Sequence, residues 1–233
     1  MNRLYVVFVG LIAISIGGCG SIPQQPYDKQ ANSSVKKIAL LAVPEIKQYQ
    51  ISTKHLGNAF GIIGAMIAEQ DLNEKITSFN SSMESNNLML WQVLTNTLYY
   101  ELSNKGYDVV LIDSIEREPT KFIENYKDID EDVDAYIDTY IWWAGYKSDS
   151  IASPFIPTIH SWVRVIASKN EELLYTTEVS YGHKIYNEAK FIPVANRSLE
   201  FDSFDELITQ ADNAADGLSD AVKAIAQQIA AEL

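Results

Sequence analysis

Residues 88–112 constrain the fold of this chain more than any other stretch. Leu90, Leu94, Leu98 and Leu102 recur every four residues, flanked by Trp91 and Tyr99, and Gly106 follows where a helix ends on a left-handed residue. The next residues, 107–112 (YDVVLI), are an apolar β-prone run. Upstream, residues 35–44 (VKKIALLAVP) form a nearly continuous apolar run closed by Pro44, the pattern of a strand buried on both faces. Strand, helix, glycine and strand in this order predict an α/β crossover, with residues 35–44 central in the sheet.

Residues 134–146 and 159–168 are rich in aromatic and β-branched side chains and are expected as long strands around a proline-bearing loop at 147–157. A polar turn at 169–172 then returns the chain as a third strand, 173–182. A four-residue loop there predicts Trp162 near Val179 and Ile166 near Tyr175, in antiparallel pairing. Residues 116–132 are charged and expected to be helical or loop, and 183–202 irregular. From about Phe204 to Leu233 an apolar stripe through Ile208, Ala211, Ala215, Leu218, Val222, Ile225, Ile229 and Leu233 predicts one long helix, with Asp212, Asp216, Asp220, Lys223 and Gln227 opposite. The stripe is expected to pack on the sheet; its other use is as a seam to a partner or a second copy. The predicted fold class is α/β: a single sandwich with helices on a mixed, partly antiparallel sheet of about five strands and a long C-terminal helix. Residues 38–44, the passage from Leu102 through Gly106 to Val110, and Asp134-Ala135-Tyr136-Ile137 resemble the core pattern of periplasmic domains of the TolB N-terminal, curli-export-lipoprotein and peptidoglycan-synthase-activator types. That resemblance implies the fold and the compartment and carries over no functional residue. Residues 45–87 stand as an insertion of about forty residues relative to it.

The beginning of the chain reads as an export signal. Arg3 precedes an apolar run at 5–16 that ends in Ile16-Gly17-Gly18 directly before Cys19, and about a dozen apolar residues are too few to span a bilayer. Ile16, Gly17, Gly18 and Cys19 resemble the lipobox of bacterial lipoproteins. The resemblance implies cleavage before Cys19, acylation of its thiol and new amine, and firm anchoring by several chains. With Gly20 rather than aspartate after the cysteine, it further implies the outer membrane, facing the periplasm. The expected domains are a signal peptide at 1–18, the lipidated Cys19 with a flexible tether at 19–34, and a globular domain at 35–233. Cys19 is the only cysteine, so the mature chain is expected to hold no disulfide, no cysteine-ligated metal and no cysteine nucleophile. With 18 basic against 31 acidic residues, a net charge of −13, nucleic acid is disfavoured as a partner.

Four constellations bear on chemistry. Gly57, Gly61 and Gly64 in residues 56–68 lack the spacing of a dinucleotide loop; a buried or half-buried helix, or a partner-binding or membrane-facing flap, is expected there, with Gly61 and Gly64 as candidate contacts. Asp128, Asp130, Asp132 and Asp134 alternate like the start of a calcium loop but lack its glycine and glutamate, so no metal is expected. His55, His160 and His183 form no helical metal pair; His160 and His183 are expected near one another as a structural pair. Trp142, Trp143, Tyr146 and Phe155 gather where a strand meets a loop. Because neighbours on a strand face opposite ways, either helices cover both faces and the cluster is core, or Trp142 or Trp143 is exposed and forms with Phe155 a docking patch for protein or glycan. The sequence thus predicts a lipid-anchored, non-enzymatic binding or assembly module for an envelope component, with no cofactor, the bilayer and an envelope protein as partners, and possible assembly as a homo-oligomer. The alternatives are a structural oligomer of a secretion or surface-appendage system and, on the acidic run and the histidines alone, an envelope hydrolase.

Overall fold

A computed structural model of the chain describes residues 22–53, 61–150, 152–184 and 189–233, with the side chains of 61–72 outside the description. Seven strands, β1 (Lys37–Leu41), β2 (Gln50–Thr53), β3 (Asp108–Ile112), β4 (Ala135–Ser148), β5 (Ile156–Ala167), β6 (Leu173–Tyr181) and β7 (Lys190–Ile192), form one mixed sheet in the order β3-β1-β4-β5-β6-β7. β1 runs parallel to both β3 and β4; β4, β5 and β6 form an antiparallel meander. The helices α1 (Gly61–Ser85), α2 (Leu90–Asn104), α3 (Phe204–Thr209) and α4 (Ala211–Glu232) complete the regular structure of the described residues, with a short 3-10 turn at Arg197–Leu199. The α/β sandwich expected from the sequence is therefore present, with two more strands. Both extra strands are short, and they were illegible for that reason: β2 extends the edge that β1 begins along β4, and β7 pairs in parallel with the end of β6.

The helix–glycine–strand passage folds as its residues dictate. Leu90, Leu94, Leu98 and Leu102 are all fully buried. Gly106 has φ +91, its N–H donates to Ser103 O at 3.0 Å, and the Tyr107 N–H donates to Leu102 O at 3.3 Å, the pair of bonds that closes a helix on a left-handed glycine. Ile38 and Leu40 of β1 enter the core under α2 and α4, while Ala39 and Leu41 enter a second apolar cluster on the other face, so β1 is covered on both sides. That second cover is the 113–134 segment, which carries no helix and lays Ile115, Ile123, Tyr126 and Ile129 over the sheet.

Four expectations need correction. The C-terminal stripe belongs to two helices, broken at Gln210, where the N–H donates back to Glu206 O to close α3 and the carbonyl accepts from the Ala214 N–H to begin α4. From Ala215 to Leu233 the stripe is buried by this chain's own sheet and α2, so it is not presented to a second copy as a seam. The β5–β6 register differs from the expected one: Trp162 opposes Glu178 and not Val179, and beyond the bulge Ile166 opposes Leu173 and not Tyr175. A turn with Glu171 at φ +55 and a bulge at Val165/Ile166 sets this alignment, which keeps Val179 and Tyr175 in the core instead of Glu178. Finally, the tether is shorter than expected. Gln25 exchanges both backbone hydrogen bonds with Thr176 at 2.8 and 3.0 Å, its side chain donates to Leu173 O at 2.6 Å, and Tyr27 meets Tyr175 edge to face, so the chain is docked on β6 well before residue 34.

Candidate functional site

The sheet face opposite the helices carries the polar chemistry of the molecule. Antiparallel pairing stacks three rows across β4, β5 and β6: Asp138, Arg164 and Thr176; Tyr140, Trp162 and Glu178; then Trp143, His160 and Ser180. Every one of these side chains except those of Arg164 and Trp143 belongs to a buried residue.

The first row is a clamp. Asp138 is fully buried and accepts hydrogen bonds from Arg117, from the Ile123 N–H at 3.0 Å and from the Tyr126 hydroxyl at 2.6 Å. Arg117 also donates to Ala42 O at 2.8 Å, beyond the end of β1. Arg164 donates to the Tyr126 hydroxyl and to Ile123 O, and its guanidinium lies 4.3 Å from the centre of the Phe122 ring. A carboxylate satisfied by a cation, an amide and a phenol is a stable buried arrangement; its consequence is that the irregular 113–134 segment is fastened across the sheet.

The other two rows form an aromatic frame. A β-bulge leaves Trp142 without a partner between Ile141 and Trp143. Because a bulge adds a residue, the simple alternation of faces fails there. Trp142 stacks on the His160 ring at 5.1 Å and Trp143 meets the same ring edge to face at 5.9 Å. Both indoles therefore address one histidine, and both are half-buried, so the bulge produces neither a fully covered pair nor a single exposed indole. Beside them lies a cleft of about 250 Å³, lined by Ile46, Lys47, Gln48, Thr120, Trp142 and Trp143 among others.

Polar atoms within this frame are only half used. His160 Nδ1 is 3.0 Å from Ser180 Oγ, while Nε2 has no partner. The Trp142 indole N–H donates to Glu178 Oε1 at 3.0 Å, while Oε2 has none, and Thr176 Oγ1 is likewise unpaired. Burial, with Lys147 and His183 adding to it, pushes His160 down to about 3, so the ring is neutral at pH 7. Burial raises Glu178 against the opposing pull of the Trp142 bond. An imidazole this weakly basic is a poor general base for Ser180 at neutral pH. The unpaired atoms of His160 and Glu178 belong to fully buried residues, so what the cleft offers a partner is the half-buried indoles of Trp142 and Trp143.

The remaining candidates are dispersed. Phe155 is buried and exchanges backbone hydrogen bonds with Phe201 at 2.7 and 3.0 Å, so it is part of the packing and not of a surface patch. Gly61 and Gly64 fall in the opening turns of α1, and their surroundings lie outside the description. Ile16, Gly17, Gly18, Cys19, His55 and Gly57 lie outside the described residues. The His183 ring nitrogens are 3.2 Å from Lys147 O and 3.3 Å from an Asp149 carboxylate oxygen, whereas His160 turns to Ser180. Asp134 accepts from the Lys36 and Lys37 amides at 2.8 Å each, and Asp128 from Asn125 at 2.7 Å; among the described residues no cluster of metal-ligating side chains occurs. Sequence reasoning missed Asp138, Arg117, Arg164 and Glu178. For Asp138, Arg164 and Glu178 the available signal was a charge in the middle of each aromatic strand, Asp138 between Tyr136 and Tyr140 above all; Arg117, in the irregular segment, had none.

No protein-family model matches the sequence, and no curated protein matches it. Among solved structures, the chain is similar to XCC0632 from Xanthomonas campestris, of family DUF330, at 8% identity with a TM-score of 0.40, over 89% of this chain and 83% of the other. It is similar also to a neuraminyllactose-binding hemagglutinin homologue from Helicobacter pylori, at 12% identity with a TM-score of 0.35, over 91% and 90%. Likenesses this distant carry no argument about function.

Proposed function

We propose that this chain is a lipid-anchored envelope protein, held at the periplasmic face of the outer membrane through acylated Cys19, that binds an envelope protein in the cleft beside Trp142 and Trp143 and does no chemistry on it. The observation that carries the anchor is the sequence Ile16-Gly17-Gly18-Cys19 at the end of a short apolar run. What supports the cleft is the bulge at Trp142, which holds two half-buried indoles against one buried histidine at the edge of an open depression. Half-buried aromatic side chains lining a depression are the kind of surface that gains most from a partner.

A photo-crosslinking residue at Gln48 or Thr120, on the rim of the cleft, tests this in living cells. The expected result is an adduct with one recurring envelope protein, lost in a Trp142→Ala/Trp143→Ala variant that still reaches the membrane. Adducts that persist unchanged in that variant, or no adduct at all, would contradict the binding role.

A further inference from the structure

We infer that the β7 edge of the sheet faces the bilayer, with Phe191 seated at the level of the lipid headgroups, and that the β3 edge faces away from the membrane. This rests on the proposed acylation of Cys19 and adds an orientation to it.

The geometry begins at Gln25. It pairs antiparallel with Thr176, so the chain before it runs along β6 towards that strand's far end; the Thr177 hydroxyl donates to Gln24 Oε1 at 2.9 Å, in keeping with this direction. Along the same edge of β6, β7 pairs with Val179, Ser180 and Tyr181. The docked segment therefore leads back towards Lys190 and must leave the sheet beside β7. Only five residues separate Cys19 from Gln25, and at no more than 3.6 Å per residue the acylated residue stays within about 22 Å of Gln25. A globule on so short a stalk cannot turn freely: the edge from which the stalk leaves is the edge next to the lipid.

Phe191 lies on that edge, pairs with Ser180 and is 43% exposed. A single exposed aromatic is ordinary on a protein surface; its place beside the anchor gives this one a bilayer interface to enter, where an aromatic ring is favoured. Among the described residues the other large exposed apolar side chains, Met89, Tyr99, Tyr100 and Leu111, lie on α2, its N-cap and β3. β3 is five strand spacings from β7 in the sheet order, or about 24 Å at 4.8 Å each.

Full-length lipidated protein provides the test, because acylation blocks its only thiol. Phe191→Cys and Tyr100→Cys variants, each labelled with an environment-sensitive fluorophore, are incorporated into phosphatidylethanolamine/phosphatidylglycerol vesicles containing a lipid spin-labelled near the headgroup. The expected result is at least twofold stronger quenching and a blue-shifted emission at position 191 relative to 100. Adding Gln25→Pro, which removes the N–H that Thr176 accepts, should abolish the difference while the protein still floats with the vesicles. Equal quenching at the two positions, or stronger quenching at 100, in vesicle-bound protein would overturn the orientation and leave the anchor standing. Protein that carries no acyl chain and does not float would overturn both.

Discussion

His160 and Glu178 are buried side chains whose titration opposes one another, and each sets a pH dependence of its own. For His160 the folded value, about 3, lies below the ordinary 6.5. Between those values the unfolded chain takes up a proton that the folded chain refuses, so this group's stabilisation is complete above pH 6.5 and is lost as pH falls towards 3. Denaturant titrations should show wild-type protein losing about 1 kcal/mol more per pH unit across that window than His160→Asn; equal slopes would remove the effect. Glu178 has the reverse sign, since its folded value is raised above 4.5. Its contribution is present below pH 4.5 and is lost as pH rises. Glu178→Gln keeps an oxygen for the Trp142 N–H and removes the buried charge, so its Tm at pH 8 should equal or exceed that of wild type, and a fall of several degrees would contradict this account. Asp138 behaves differently because it has partners on every side. Asp138→Asn leaves the Arg117 guanidinium, 4% exposed, without its counter-charge and should cost about 3 kcal/mol in chemical denaturation. Arg117→Met added to it should recover part of that loss.

At the scale of elements, the parts legible in the sequence are those whose signals repeat. Four leucines at one spacing and a glycine stop define α2 without any tertiary information, and the aromatic strands of the meander are long enough to declare themselves. The parts that stayed hidden depend on contacts between distant residues. Gln50–Thr53 and Lys190–Ile192 are too short to show a period and exist as strands because β4 and β6 offer them open edges. The bulge at Trp142 is a register event, and without it alternation sends Trp142 and Trp143 to opposite faces. Hence the candidate cleft was readable only as a concentration of aromatics, with Phe155 wrongly included. Gly145 gives a direct test of the β2 addition: a Cβ there would meet Gln50 O at 1.8 Å. Gly145→Ala should detach β2 from β4, seen as fast amide exchange at Ile51 and Thr53, and should reshape the neighbouring cleft. Protection unchanged from wild type would show that the close approach is not needed.

Over the whole molecule, two covers on one sheet divide the labour. Helices on one face supply the apolar core, and the Asp138 clamp straps an irregular segment across the other, leaving the aromatic frame at its margin. The N-terminal stretch, docked on β6, joins that body to the residue proposed to enter the lipid, so anchor, orientation and cleft are coupled through one sheet. No helix among the described residues is long and apolar enough to cross a membrane, and the proposed attachment runs through Cys19, with Phe191 only resting among the headgroups. Metabolic labelling with radioactive palmitate, followed by mass spectrometry of the N-terminal peptide, tests this most directly. The expected result is label in wild-type protein with an acylated Cys19 as its first residue, and none in Cys19→Ser; unlabelled wild-type protein that begins at an intact Met1 would contradict the account.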